Sequence, residues 1–377
     1  FHNYKELMNS IFEYKLWILT VSLLVITLGC NNSDDNEGEA NLSIEEGRRM
    51  QLESSFDQNI IPFQNNHIQS TTSLRTVGGA FVADPTVATL ENLKNEWKTS
   101  FLVFKSVELY KIGTVQITFA QGAIHRWPAE ISFIEDNIQG TATIDNAYIN
   151  TLGATSKGYS AIEYLLFQND SEETITAFTE GEFAERRMQY LAALLENLEE
   201  SAVNLRDIWQ GRETAFKENL GSGVAGSHNQ LVNGYIALLE TMKIRKLDKA
   251  LNSNPYRKEL LEAFFSEASL SALSENLDIL WKEYAGASGS SNEFTMSDYL
   301  IEVLGQNELD TEVRNAYQAA RTALNAIQDP LEDAVPNQRN AVEALRDRLA
   351  DLIALYKVDI SSAANIVVTF NDNDGDS

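Results

Sequence analysis

The stretch LAALLENLEESAVNLRDIW, residues 191–209, decides the fold class because its apolar residues recur every three or four positions. The members of this stripe are Leu191, Leu194, Leu195, Leu198, Ala202, Leu205 and Trp209. Residues spaced in this way lie on one face of an α-helix, while the polar residues between them lie on the other. The stripe therefore predicts a long amphipathic helix that packs against other helices.

The same spacing runs through the chain from Leu42 onward. Further stripes comprise Leu231, Tyr235, Leu238, Leu239 and Met242; Leu270, Leu273, Leu277, Leu280, Trp281 and Tyr284; and Val342, Leu345, Leu349, Leu352 and Tyr356. Alternating strand patterns are scarce, and residues 115–119 are the best candidate for a strand. The sequence thus predicts an all-α protein built from packed antiparallel helical bundles.

Helix ends are marked by capping residues and glycines. Asp84 and Pro85 predict the N-cap and first helical position of one helix, and Gly113 predicts its end. The glycine-rich loop that begins at Gly221 separates two long helical regions. We therefore predict an N-terminal bundle over residues 42–220 and a C-terminal bundle over residues 221–377.

The composition excludes several kinds of function. The chain has 377 residues and a formal net charge of −26, which disfavours nucleic acid and anionic lipid headgroups as partners. Its single cysteine excludes an internal disulfide and any site with several cysteines. Neither a His-Glu-x-x-His zinc motif nor a Gly-x-Ser-x-Gly nucleophile turn is present.

The N-terminal region resembles a lipoprotein signal. Residues 16–28 form an almost wholly apolar run of 13 residues, and Lys5 and Lys15 precede it. The length suits the hydrophobic region of a signal peptide better than a membrane span. Gly29 and Cys30 then resemble the cleavage box of a bacterial lipoprotein, although an uncleaved anchor is the alternative. We predict a signal peptide over residues 1–29 and lipid on Cys30.

The segment after this cysteine, residues 30–41, is polar and acidic. Such a composition cannot bury apolar surface, so it predicts a flexible tether. Its Ser33-Asp34-Asp35 could direct the protein to the outer face of an outer membrane, or it could be a plain spacer. The expected location is therefore the outer membrane, by a lipid anchor, with a periplasmic or surface-exposed protein.

Glu163 is the most informative charged residue, since it interrupts the otherwise apolar stretch YSAIEYLLF that begins at Tyr159. A carboxylate in such a helix must be paired, bound to a cation or directed at a cavity. Gly158, just before this stretch, allows another helix or a ligand to approach closely. A purely structural Glu163, bonded to a neighbouring helix, is the alternative.

These residues also resemble a known family. Gly158-x-Ser160-x-x-Glu163, followed by Tyr164-Leu165-Leu166, is similar to the Gly-x-His-x-x-Glu motif and the Tyr-Leu-Leu of the imelysin family. Trp127-Pro128 and Ser269-Leu270 fit two further family phrases. The resemblance extends from about residue 46 to the end of the chain.

The resemblance implies two helical bundles, an envelope location and a candidate site near the motif helix. Some family members were described as peptidases, and others belong to iron-uptake or iron-regulated systems. In this chain Ser160 replaces the motif histidine, and a neutral hydroxyl is a poor metal ligand. If a metal binds, with iron or another divalent cation as the expected cofactor, Glu163 is the predicted ligand.

Glu108, His125 and Trp127 are further candidates for residues that face a ligand. His125 could substitute for the missing motif histidine, as could His67, although a solvated loop histidine is the simpler interpretation of His125. We expect a non-enzymatic binding component of the envelope, with metal-uptake components as partners. A metal-dependent peptidase and a surface interaction module with a degenerate site are the alternatives.

Overall fold

A computed structural model describes residues 42–287 and 293–369 of the chain. All regular secondary structure within these ranges is helical, which confirms the all-α prediction. The predicted signal peptide, the lipidation site at Cys30 and the tether up to residue 41 lie outside the described residues.

The first half contains eleven described α-helices. They are α1 (Ile44–Ser54), α2 (Ile61–Ala83), α3 (Val87–Glu108), α4 (Thr114–Thr118), α5 (Ala120–Ile124), α6 (Ile131–Gln139), α7 (Asn146–Thr151), α8 (Gly158–Phe167), α9 (Ser171–Thr179), α10 (Ala184–Gln210) and α11 (Glu213–Glu218). A π-helical segment, Ser55–Ile60, joins α1 to α2, and a 3₁₀ turn, Ala154–Ser156, precedes α8.

The second half is built in the same way. Its described helices are α12 (Ser227–Glu240), α13 (Lys249–Leu251), α14 (Ser269–Ala285), α15 (Met296–Asp298), α16 (Asn307–Asn325), α17 (Leu331–Asn337), α18 (Arg339–Ala354) and α19 (Ser361–Ala363). π-Helical segments follow three of them, at Thr241–Asp248, Tyr299–Val303 and Leu355–Ile360. A 3₁₀ turn, Lys258–Leu260, lies before α14.

The stripe at residues 191–209 lies on α10, and all seven of its apolar members are buried. Helix α10 packs against α2 and α8, α2 packs against α3, and α16 packs against α18. Helix α14 packs against α3, so one continuous apolar core extends through both halves. The residues from Leu42 onward group as one unit, and the division at residue 221 stays a prediction.

Two local predictions are wrong. Residues 114–118 form helix α4 instead of a strand: Val115 is buried, but Ile117 and Phe119 are 75% and 72% exposed. In a half-buried strand the alternating residues Val115, Ile117 and Phe119 would all face the core. Only Val115 does so here.

The predicted helix boundaries at Asp84, Pro85 and Gly113 also shift. Helix α3 begins at Val87 because the Thr86 hydroxyl accepts the Thr89 N–H at 3.3 Å, which makes Thr86 the N-cap. It ends at Glu108, and Gly113, at φ 54°, instead precedes α4.

In the described ranges, no helix is both long and apolar enough to cross a membrane.

Candidate functional site

Gly158 brings two distant segments together at the start of α8. Its φ is +67°, a left-handed conformation that favours glycine. A Cβ atom at this position would lie 2.1 Å from the backbone oxygen of Ile124. The close approach of α8 to the end of α5 therefore depends on Gly158, and it places His125 beside Ser160.

Ser160, His125 and Glu262 form a buried hydrogen-bonded chain. His125 Nε2 lies 2.9 Å from Glu262 Oε1, and Ser160 Oγ lies 3.0 Å from His125 Nδ1. Because a carboxylate only accepts hydrogen bonds, we assign the ring proton to Nε2, and the Ser160 hydroxyl donates to Nδ1. The expectation that His125 is solvated is wrong, because Gly158 allows α8 to cover it.

Two lysines neutralise the carboxylates of this site. Lys105 Nζ lies 2.6 Å from Glu262 Oε1, and Lys246 Nζ lies 2.8 Å from Glu262 Oε2. Lys246 Nζ also lies 3.0 Å from Glu108 Oε2. Asn276 donates to the same Glu108 oxygen at 3.0 Å. The result is a cluster of two ammonium groups and two carboxylates, which we call the charge cluster (Lys105, Glu108, Lys246 and Glu262).

Burial and ion pairing shift the pKa values of the two carboxylates in this cluster in opposite directions. Burial alone would raise the pKa of Glu262, but Lys105 and Lys246 outweigh it and hold that pKa well below its usual range. The pKa of Glu108 is lowered by the same two lysines, again against burial. Burial lowers the pKa of His125, and Lys105 adds to that effect. The imidazole is therefore neutral at neutral pH, and both carboxylates are charged.

Glu163 has different partners from Ser160, although the two lie three residues apart on α8. Its Oε1 accepts the backbone N–H of Ser266 at 2.9 Å and the Ser266 hydroxyl at 2.8 Å. Burial raises the pKa of Glu163 to about 7, and nearby Glu332 and Glu262 add to the increase. Burial likewise raises the pKa of Glu332, which accepts a hydrogen bond from Ser269, to about 7.

These contacts do not provide the ligand set of a bound cation. Ammonium groups already occupy the space between the carboxylates of the charge cluster, and Glu163 accepts hydrogen bonds from a serine. No group of three or more histidine, cysteine, aspartate or glutamate side chains in the described ranges has the spacing of a metal site. The residues around the motif therefore do not fit a resident metal ion, and Glu163 as a metal ligand remains a prediction.

A cleft of about 540 Å³ opens beside the charge cluster, and His125 and Glu108 line it together with Lys111, Arg126 and Arg245. The Trp127 ring, also in its wall, stacks on the His125 ring at a centroid distance of 5.5 Å. All three residues expected to face a ligand thus line one cleft. Ser160 is not among the lining residues.

His67, the other proposed substitute, does not reach this cleft. It is fully buried, and its Nε2 lies 3.1 Å from the Tyr159 hydroxyl. Burial lowers the pKa of His67 to about 3, so the ring is neutral. His67 therefore has the partners of a structural core histidine.

The sequence interpretation missed Lys105, Lys246 and Glu262. Lys105 interrupts the apolar stretch FLVFKSVELY that begins at Phe101, and Glu262 lies within LLEAFF. A charged residue inside an apolar run is the signal that identified Glu163, and it applies equally to these two. Lys246 lies in the charged segment KIRKLDK and carries no such signal.

Comparison with known proteins gives one family and two similar structures. The family model described as Imelysin matches residues 64–356. No curated protein matches the chain. A crystal structure from Parabacteroides distasonis ATCC 8503, of a protein named as an iron-regulated protein A precursor, is 16% identical with a TM-score of 0.72. The match covers 86% of this chain and 97% of that one.

The second structure is an imelysin-like protein from Psychrobacter arcticum 273-4. It is 17% identical, with a TM-score of 0.69, and the match covers 86% of this chain and 98% of that one. At these identities the two likenesses establish the shared helical fold.

Proposed function

This chain belongs to the imelysin family, and from that premise we propose that it is a non-catalytic binding component of a bacterial cell envelope. In this proposal lipid on Cys30 anchors it to the outer membrane, and it takes part in the uptake of iron or another metal. The cleft beside His125 is the observation that carries the binding role. Its volume of about 540 Å³ is that of a small-molecule site.

The link to iron is supported by family membership and by the name of the P. distasonis neighbour. The charge cluster bears on the form in which iron would bind. Because Lys105 and Lys246 already neutralise Glu108 and Glu262, a bare cation would have to displace an ammonium group. We therefore expect iron to bind as a complex with a small ligand, in the cleft.

A peptidase is the second candidate, and one observation favours it. Ser160, His125 and Glu262 stand in the order hydroxyl, imidazole, carboxylate, which is the order of a serine hydrolase. Two features oppose it. Ser160 is only 2% exposed and does not line the cleft, and Glu262 is paired with two lysines. A substrate carbonyl would have no path to the hydroxyl.

Binding and cleavage can be measured on the same purified protein. We expect iron, supplied in turn as ferrous ion, ferric ion and ferric citrate, to bind with saturation in at least one form. We expect casein to stay intact during incubation, with or without EDTA. Absence of iron binding in all three forms would refute the uptake role. Casein cleavage that is lost in Ser160→Ala would establish the peptidase instead.

A further inference from the structure

Three cationic side chains converge on the cleft beside His125. Lys111 follows α3, Arg126 follows α5, and Arg245 lies in the π-helical segment after α12, so three separate segments supply them. We propose that this cleft binds a small oxyanion of charge −2 or −3, with carboxylate or phosphate groups. This inference rests on the proposed binding function and names the class of ligand.

No carboxylate of the described residues forms an ion pair with any of the three. The ion pairs recorded in residues 42–287 and 293–369 involve other lysines and arginines. Burial lowers the pKa of Lys111, repulsion by Arg245 and Arg126 lowers it further, and attraction by Glu108 opposes part of the decrease. Like charges in the wall of one cleft repel one another, and a bound anion would offset that repulsion. The net charge of the protein is −26, so a cluster of three cationic side chains stands out from the rest of the chain. Such a cluster is typical of an anion-binding site.

Among the described residues, Glu108 is the one carboxylate in the cleft wall, and its charge is already balanced within the charge cluster. Glu108 lies 3.0 Å from Lys246 and 3.5 Å from Lys105. Glu262 completes the charge cluster, in which two carboxylates balance two ammonium groups. His125 adds no charge, because its lowered pKa leaves the ring neutral. Three positive charges on Lys111, Arg126 and Arg245 therefore remain for a ligand.

The Arg245 side chain and the volume of the cleft indicate the kind and the size of the anion. The Arg245 guanidinium carbon lies over the Trp127 ring, 4.4 Å from its centroid. A guanidinium that stacks on an aromatic face can still donate hydrogen bonds from its edge. A guanidinium in this state can donate two parallel hydrogen bonds to one carboxylate or phosphate. A cleft of about 540 Å³ has room for a small organic acid, and it is too small for a polymer.

The same chemistry could come from a free anion or from an anion that carries ferric ion. A polycarboxylate that chelates iron keeps oxygens that can accept hydrogen bonds from Arg245. In that case the protein would hold the complex through its carboxylates, and no side chain need touch the metal. This arrangement agrees with the lack of a fitting metal site at Ser160 and Glu163.

The test is calorimetric titration of the full chain with citrate, inorganic phosphate and ferric citrate at one fixed ionic strength. We expect saturable binding of citrate or phosphate. Arg245→Gln should weaken it by at least about 10-fold, because charge-assisted hydrogen bonds are lost. Lys111→Gln and Arg126→Gln should also weaken it. Both residues keep a large accessible surface, although the cleft wall partly desolvates Lys111, so these variants test the site even if Arg245→Gln misfolds.

Arg75→Gln is the matched control. It removes the same unit of charge, but Arg75 pairs with Glu196 and Glu199 on α10 and is absent from the cleft lining. The anion inference is wrong if neither citrate nor phosphate binds. It is also wrong if Arg75→Gln weakens binding as much as the cleft variants do, because the effect would then reflect only overall charge.

The titrations with different ligands distinguish failure of the anion site from failure of the proposed function. If citrate binds and none of the three forms of iron does, the anion site stands and the iron role fails. If iron binds, and citrate and phosphate either do not bind or bind the three cleft variants as tightly as the wild type, the iron role stands and the anion site fails. Binding of ferric citrate that weakens in the cleft variants supports both.

Discussion

At the scale of single residues, the surroundings of Glu163 favour its uncharged form. The side chain is buried, and its recorded partner, Ser266, is neutral. Two further buried carboxylates, Glu262 and Glu332, repel its charge, whereas the nearby lysines pair with Glu262. These features together place the pKa of Glu163 near 7. An environment of this kind suits a protonated carboxyl group better than a metal ligand.

Glu163→Gln tests this environment through the pH dependence of stability. The folded pKa is raised from 4.5 to about 7, so the folded protein holds the proton more tightly than the unfolded chain does. Wild-type stability should therefore fall as pH rises from about 4.5 to 7. The glutamine variant should show a smaller fall, because Glu332, whose pKa is also raised to about 7, still contributes to it. At pH 8 we expect the variant to be more stable by about 2–3 kcal/mol, and at pH 4 nearly equal, by urea unfolding.

Glu53→Gln, at an exposed position on α1, serves as the control and should show no such difference between the two pH values. A Glu163→Gln variant that is less stable than wild type at pH 8 would contradict this account. It would mean that the folded protein keeps Glu163 ionised and pairs it with a cation.

At the scale of elements, the position of α8 depends on one backbone conformation. Gly158 starts the helix with φ +67° and lies against the Ile124 carbonyl at the end of α5. This contact covers His125 and brings Ser160 to it. The short helices α4 and α5 also contribute Ile117, Gln121 and Gly122 to the cleft wall. The motif glycine is thus needed for helix placement, whatever the cleft binds.

Gly158→Ala should destabilise the protein strongly. A left-handed alanine costs about 1–2 kcal/mol, and the clash with the Ile124 oxygen adds to this because backbone must move. We expect a loss of at least about 2 kcal/mol in the free energy of unfolding. The comparison is Gly153→Ala, where a Cβ would meet no atom within 4 Å, and there we expect little change. Equal stability of the two variants would show that α8 does not need this conformation.

At the scale of the whole molecule, buried polar contacts tie the two halves of the described chain together. Lys105 of α3 pairs with Glu262, and Tyr110, just after α3, donates to Glu283 of α14 at 2.6 Å. Glu283 also accepts the Tyr235 hydroxyl of α12 at 3.0 Å. The cleft has lining residues from both halves, so its geometry depends on this packing.

The predicted anchor concerns the whole protein as well. In a bacterium that processes lipoproteins, we expect the full precursor to become acylated and to partition into detergent. Cys30→Ser should remain uncleaved and lack acyl chains, because the serine hydroxyl cannot form the thioether. Metabolic labelling with a fatty acid, followed by phase separation, measures this. Covalent lipid on the Cys30→Ser protein would rule out the lipoprotein interpretation.

The sequence alone determined the helical class, because apolar spacing at three and four residues follows directly from helix geometry. The stripe on α10 is one instance, and all of its members are buried. The sequence also identified Glu163, because it interrupts an apolar stretch, and it identified Gly158 and His125 as candidates for a close approach and for a residue that faces a ligand. The sequence did not fix the helix ends, as Thr86 and Gly113 show, because several neighbouring residues are suited to serve as caps.

Only the tertiary structure decided which of these residues meet. Glu163 and Ser160 share a helix, yet Glu163 bonds to Ser266 and Ser160 to His125, contacts that span 103 and 35 positions of sequence. Lys105 and Lys246 lie far apart in the chain and converge on Glu262. Periodicity specifies the face on which a side chain lies, and it does not specify the opposing helix. The packing of the helices determines which helices face each other. It therefore placed the ammonium groups of Lys105 and Lys246 beside the carboxylates of Glu108 and Glu262.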